Sequence, residues 1–215
     1  MKNLIKKEFA LAMHPTAPMF LALSAMLIIP NYPYYVVFFY TGLSIFFTCL
    51  SGRENNDIFY SMLLPASKRK IVAARFLYAV ILEIMQIVVA VPFALLRQSM
   101  DIGGNAVGMD AGISLFALAL LMLALFNVVF FGSYYKDVKK VGTSFAKAST
   151  AVFLFILIAE TLTHIAPFFR DVLDTPDTEH VSEKLIVFAS CALIYAAATF
   201  LSYKKAASDF EKQDI

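Results

Sequence analysis

The sequence predicts an all-α integral membrane protein: six transmembrane helices preceded by an amphipathic interfacial helix, with both termini cytoplasmic. Three observations predict it. Of 215 residues, 60% are apolar and only 16% are charged, well away on both counts from a soluble domain. The apolar residues gather into runs of bilayer-crossing length, and the gaps between runs alternate between rich and poor in Lys and Arg. A crossing takes about 20 mainly apolar residues, so the chain has room for six crossings and their loops as one domain, 1–215, with no separate soluble enzyme.

Residues 1–14 have helical periodicity, with Lys2, Asn3, Lys6, Lys7 and His14 on one arc and Leu4, Ile5, Phe9, Leu11 and Ala12 on the other. Such a helix lies in the membrane surface with its lysines toward anionic headgroups. Glu8 interrupts the apolar arc, and either a cytoplasmic basic residue or a neighbouring subunit suits it as partner. Ala10-Leu11-Ala12 mimics a signal-peptidase site, but the long apolar run follows it rather than precedes it, so a cleaved leader is not expected.

Apolar runs at 16–30 and 34–51 are split by Pro30-Asn31-Tyr32-Pro33, which favours a tight turn and makes the pair a helical hairpin with a short first span. Further spans are expected at about 72–96, 111–133, 148–169 and 185–203. Trp is absent, so Tyr32, Tyr34, Tyr35, Tyr134, Tyr135 and Tyr203 at the span ends take the place of interfacial anchors. Cys49 and Cys191 lie inside apolar runs without a Cys or His at metal-binding spacing and read as small core residues.

Positive residues concentrate in cytoplasmic loops. With six spans, fifteen of the eighteen Lys and Arg residues fall on one side, leaving Arg97, Arg170 and Lys184 on the other. Merging the first two runs would put Lys2, Lys6 and Lys7 outside, against the rule.

Polar residues inside spans are costly and mark candidate sites. Glu83 and Gln86 share one face of the third span, and Glu160 and His164 share one face of the fifth. They are the candidates for a translocation pathway suited to cationic or amphipathic cargo, against the plainer reading that they hydrogen-bond within the bundle. Asn127 reads as helix-helix glue. The outer loop from Arg170 to Lys184 carries five acidic residues against two basic ones and reads as solvated.

The loop between the second and third spans holds the most pattern. Glu54 and Asp57 stand at the start of a short amphipathic stretch, where a helix dipole favours them, followed by Phe59, Tyr60, Leu63 and Leu64. Pro65 ends the stretch, and Ser67 is placed to cap a helix starting at Lys68. Glu54, Tyr60, Leu64, Pro65, Ser67, Lys68, Arg69, Ile71, Val72, Arg75 and Phe76 resemble the first cytoplasmic loop of small permeases of the ABC-2 class of ABC transporters. The closing run Phe210-Glu211-Lys212-Gln213-Asp214-Ile215 is similar to that family's ending. Lys68 and Gln213 depart from it, since Arg and a basic residue are commoner there.

The resemblance implies a permease subunit of an ATP-driven exporter in a cell membrane, multi-pass and bacterial. Its first coupling loop would be 53–70 and its second 135–147, meeting a separate ABC ATPase through Glu54, Asp57, Phe59, Tyr60, Leu63, Leu64, Pro65, Ser67, Lys68, Arg69, Tyr135, Lys139 and Lys140. It also implies a second permease copy in a homodimer. No catalytic residue, metal or cofactor is expected in this chain, with ATP and Mg on the partner subunit, and no nucleic acid. None of the eight glycines begins a G-x-x-x-x-G-K-[ST] loop, which an ATPase needs to cradle phosphates. Within the family the short outer loops are similar to permeases of phenol-soluble-modulin exporters, implying amphipathic peptide cargo. Drug export and bacteriocin immunity are alternatives.

Two other classes fit less well. Gly42-Leu43-Ser44-Ile45 begins like the G-x-S-G of intramembrane serine proteases but lacks its last glycine. An ion-coupled secondary transporter calls for inverted repeats, yet Pro92 and Gly112 do not occupy corresponding places in the two halves.

Overall fold

The computed structural model describes residues 1–100 and 103–213, and among them there is helix but no strand. Helix α1 (Lys2–Lys7) runs into a π-helical turn over Glu8–Ala12. Helix α2 (Thr16–Ala22) continues as a 3-10 helix over Leu23–Ile28. The two segments, Lys2–Ala12 and Thr16–Ile28, meet at 86°. Then come α3 (Tyr35–Glu54), α4 (Asp57–Leu63), α5 (Lys68–Ser99), α6 (Ile113–Tyr134), α7 (Val141–Ile165), a π-helical turn (Phe169–Leu173) and α8 (Val181–Glu211).

Helices α3, α5, α6, α7 and α8 are each long and apolar enough to span a membrane, and the bent N-terminal pair makes a sixth only when counted as one span. The protein is an all-α integral membrane protein. The expected first span is the weak one. Seven α-helical and six 3-10 residues reach about 22 Å at roughly 1.5 and 2.0 Å per residue, short of a hydrocarbon core of about 30 Å. Stretching into 3-10 geometry recovers only part of that deficit. The hairpin turn forms where the prolines place it, with Asn31 in the left-handed region at φ 53°, a conformation its short side chain tolerates.

Helix α6 is the axis of the bundle, packing most extensively on α8 and α7 and also on α3. Its small residues Ala117, Ala119 and Ala124 and its rings Phe126, Phe130 and Phe131 are all buried. Gly42 of α3 lets the α3–α6 contact close: a Cβ there would stand 2.9 Å from the Phe126 ring, the close approach that small residues permit between membrane helices. Helices α5, α7 and α8 bury one face and leave Ile84, Val88, Phe153, Ile158, Ile186 and Leu193 on the outside.

Helices α5 and α8 have 32 and 31 residues, about 46–48 Å at 1.5 Å per residue. They overshoot the hydrocarbon core, and their lysine-rich ends meet beyond it. Three expectations are corrected. Lys7 does not face headgroups but turns inward to Asp57. Tyr34, Tyr35, Tyr134 and Tyr135 are buried in the protein instead of forming an interfacial belt, because neighbouring helices bury the span ends. The loop expected over 135–147 is only residues 135–140, since α7 already starts at Val141.

Candidate docking surface at the basic end of the bundle

Helix α4 is a seven-residue knob held from behind by four charges. Asp57 accepts from Arg75 Nη2 at 2.6 Å and from Lys7 Nζ at 2.7 Å. Lys7 also donates to Ser61 Oγ at 2.8 Å, so both groups on the Asp57–Ser61 face of α4 are tied inward. Glu8 completes the cluster, 2.5 Å from Arg75 Nε and 3.0 Å from Lys7 Nζ. Of the two partners open to Glu8, the structure supplies a basic residue of the same chain. Burying a charge is costly unless it is paired, and within the cluster both Glu8 and Arg75, almost fully enclosed, are ion-paired.

That anchoring fixes which side of α4 looks out. Phe59, Tyr60, Leu63 and Leu64 are 51%, 63%, 68% and 45% exposed. Beside them a cavity of about 690 Å³ opens between the N-terminal segment, the end of α3 and α4, lined by Leu11, His14, Asn55, Tyr60 and Leu64 among others. Asp57 thus braces α4 from within through Arg75 and Lys7 and also lines that cavity. Glu54 is exposed, within 3.7 Å of Arg53. Arg53 Nη1 reaches the Lys139 carbonyl at 3.5 Å, so the loops after α3 and after α6 adjoin.

Pro65 follows α4, and Ser67 precedes α5 in extended conformation without a side-chain cap. Its carbonyl accepts from Lys70 N and Ile71 N instead. Lys68 and Arg69 are turned to the end of the chain: Lys68 Nζ donates to the Gln213 carbonyl and lies 5.8 Å from the Phe210 ring centre, and Arg69 pairs with Glu211 at 2.8 Å. Gln213 Nε2 donates to the Tyr135 carbonyl. The loop pattern and the closing pattern, far apart in sequence, form one latch; Asp214 and Ile215 lie outside the described residues. Tyr135 is buried among Phe76, Phe131 and Phe210, whereas Lys139 and Lys140 are exposed. Asp137 stays below the usual carboxylate range because Lys140 and the Lys139 amide hydrogen-bond it.

The four candidate pathway residues do not converge. Glu83 is buried in the bundle, accepting from Asn127 Nδ2 at 3.0 Å and from the Tyr195 hydroxyl, which joins α5, α6 and α8. Gln86 donates to Ser24 at 2.8 Å and holds the 3-10 segment. Glu160 accepts from Met109 N at 3.1 Å, and His164 lies 3.2 Å from the Val107 carbonyl, so both grip the loop between α5 and α6. Gly108 lets that loop sit against Glu160, where any Cβ would collide with the carboxylate.

The acidic loop between α7 and α8 is less solvated than its charge suggests. Asp177 accepts from Ile113 N, capping α6, and from Gln98. Asp174 accepts from Asp110 N at 2.7 Å, and burial raises its carboxyl to about 6. Lys184 is fully enclosed, donating to the carbonyls of Thr175 and Pro176. Sequence reasoning missed Lys184 and Arg97 as buried cations; the scarcity of Lys and Arg in the gaps around them was the available signal.

A family profile described as "ABC-2 family transporter protein" matches residues 3–208. No curated protein and no solved structure matches the chain. With a profile running from the anchored N-terminal helix through the α4 knob and nearly to the end of α8, the chain belongs to the ABC-2 family of transporter proteins and is a membrane permease component of an ABC transporter.

Proposed function

We propose that this permease couples to its ATPase through α4 and exports amphipathic, membrane-active peptides as a homodimer, with both termini in the cytoplasm. The observation that carries the coupling is the exposed Phe59, Tyr60, Leu63 and Leu64 surface, backed by the Glu8–Arg75–Asp57–Lys7 cluster. An exposed apolar helix face suits a hydrophobic groove on a partner. The ion pairs behind it join α4 to α1 and to α5, which runs on into the membrane, so a push on the knob moves a span instead of bending a loop. Lys139 and Lys140 offer a second, charged contact nearby.

Replacing Tyr60 and Leu63 by Asp removes the apolar anchors while leaving Asp57 and Ser61 in place. The doubly substituted permease loses its co-purifying ATPase subunit; undiminished co-purification refutes α4 as the docking element. Peptide cargo is read separately, as stimulation of ATP hydrolysis by amphipathic helical peptides added to the reconstituted permease–ATPase pair. No stimulation together with no protection of peptide-exposed cells sinks that assignment.

A further inference from the structure

Between α5 and α8, at the lysine-rich end, a groove of about 380 Å³ opens sideways, lined by Ala73, Phe76, Leu77 and Val80 on one wall and by Tyr195, Thr199 and Phe200 on the other. We propose that this groove seats an acyl chain of an anionic phospholipid whose phosphate rests on the lysines at its mouth.

The walls set the apolar half of the assignment. The hydroxyls of Tyr195 and Thr199 are already committed to the core, Tyr195 donating to Glu83 and Thr199 accepting from Asn127. What remains toward the opening is hydrocarbon and aromatic surface. Along α8 the lining runs from Tyr195 to Tyr203, about 12 Å at 1.5 Å per residue, against roughly 15 Å for half of a hydrocarbon core of about 30 Å. The groove thus has the length of most of one leaflet.

The mouth sets the charged half. Lys204 Nζ lies 4.6 Å from the ring centre of Phe200, which is itself part of the wall. Lys70 stands one turn before Ala73 on α5, and Lys2 follows Met1, another lining residue; both are exposed. Among the described residues no carboxylate lines the groove, and the nearby Glu211 is occupied by Arg69. Three cations beside a lining of apolar and aromatic residues favour a phosphate and disfavour a cationic peptide.

The test incubates the full-length permease, purified in neutral detergent, with phosphatidylglycerol or with phosphatidylcholine and counts retained lipids by native mass spectrometry. The wild type keeps phosphatidylglycerol in preference to phosphatidylcholine. Lys204→Gln and Lys70→Gln each cut that preference about fivefold, and Ala196→Phe, which fills the groove, abolishes it. Equal retention of the two lipids by the wild type overturns the proposal. So does an unchanged preference in both lysine variants, or loss of dimer with lipid retention intact in Ala196→Phe, which would give the groove to a second copy of the chain.

Discussion

Arg75 is the residue on which the basic end depends. It pairs with Glu8 and with Asp57 at once, and removing one partner of a buried pair leaves an uncompensated charge. Arg75→Ala is expected to cost about 3–5 kcal/mol in equilibrium unfolding in detergent, and Arg75→Met combined with Glu8→Met markedly less. Equal losses in the two would show that the charges matter less than the volume. Gly42 is a test of packing alone. Because a Cβ there meets the enclosed Phe126 ring at 2.9 Å, Gly42→Ala should cost about 1–3 kcal/mol as overpacking, read in the same unfolding assay. Neither dependence is visible in sequence: Arg75 reads there as one basic residue of the family-like loop pattern, and Gly42 as the start of an incomplete protease motif.

Among the elements, the loop between α7 and α8 behaves as a fitted lid on the bundle. Asp110, Glu160, His164 and Lys184 surround the Asp174 carboxyl, which burial holds at about 6 against an ordinary 3.8. Between those values the native loop binds more protons than the unfolded chain, so this group's contribution to stability is full below the lower value and lost as pH rises through about 6. The amide of Asp110, bonded to Asp174 Oδ1, should therefore be better protected from hydrogen exchange near the lower end of that window than above it, after correction for intrinsic rates. Asp174→Asn should remove the difference, and an unchanged pH response in that variant would exclude Asp174 as its source. Helix α4 teaches the reverse lesson. Its amphipathic pattern was legible, and the exposed residues are those the pattern picks out, but Asp57 and Ser61 needed the tertiary neighbours Lys7 and Arg75 to define the inner face.

At the scale of the whole molecule, the proposed orientation puts the Lys139 loop and the Glu179 loop on opposite sides of the membrane. Both native cysteines are buried, so an impermeant maleimide reports only on introduced thiols. Added outside intact cells, it should label Glu179→Cys and spare Lys139→Cys; the opposite pattern would invert the topology. Composition, apolar run length and charge alternation by themselves determined an all-α membrane protein and the positions of its long helices, because lipid selects for side-chain hydrophobicity residue by residue. The contact pattern within the bundle was beyond their reach. An apolar residue facing lipid and one facing α6 look alike in sequence, and only the packed structure separated them. It also joined Lys68 and Arg69 to the last turn of α8, turned Asp57 inward, and sent Glu83, Gln86, Glu160 and His164 to different neighbours, since each buried polar group takes whatever partner the packing brings within hydrogen-bonding distance.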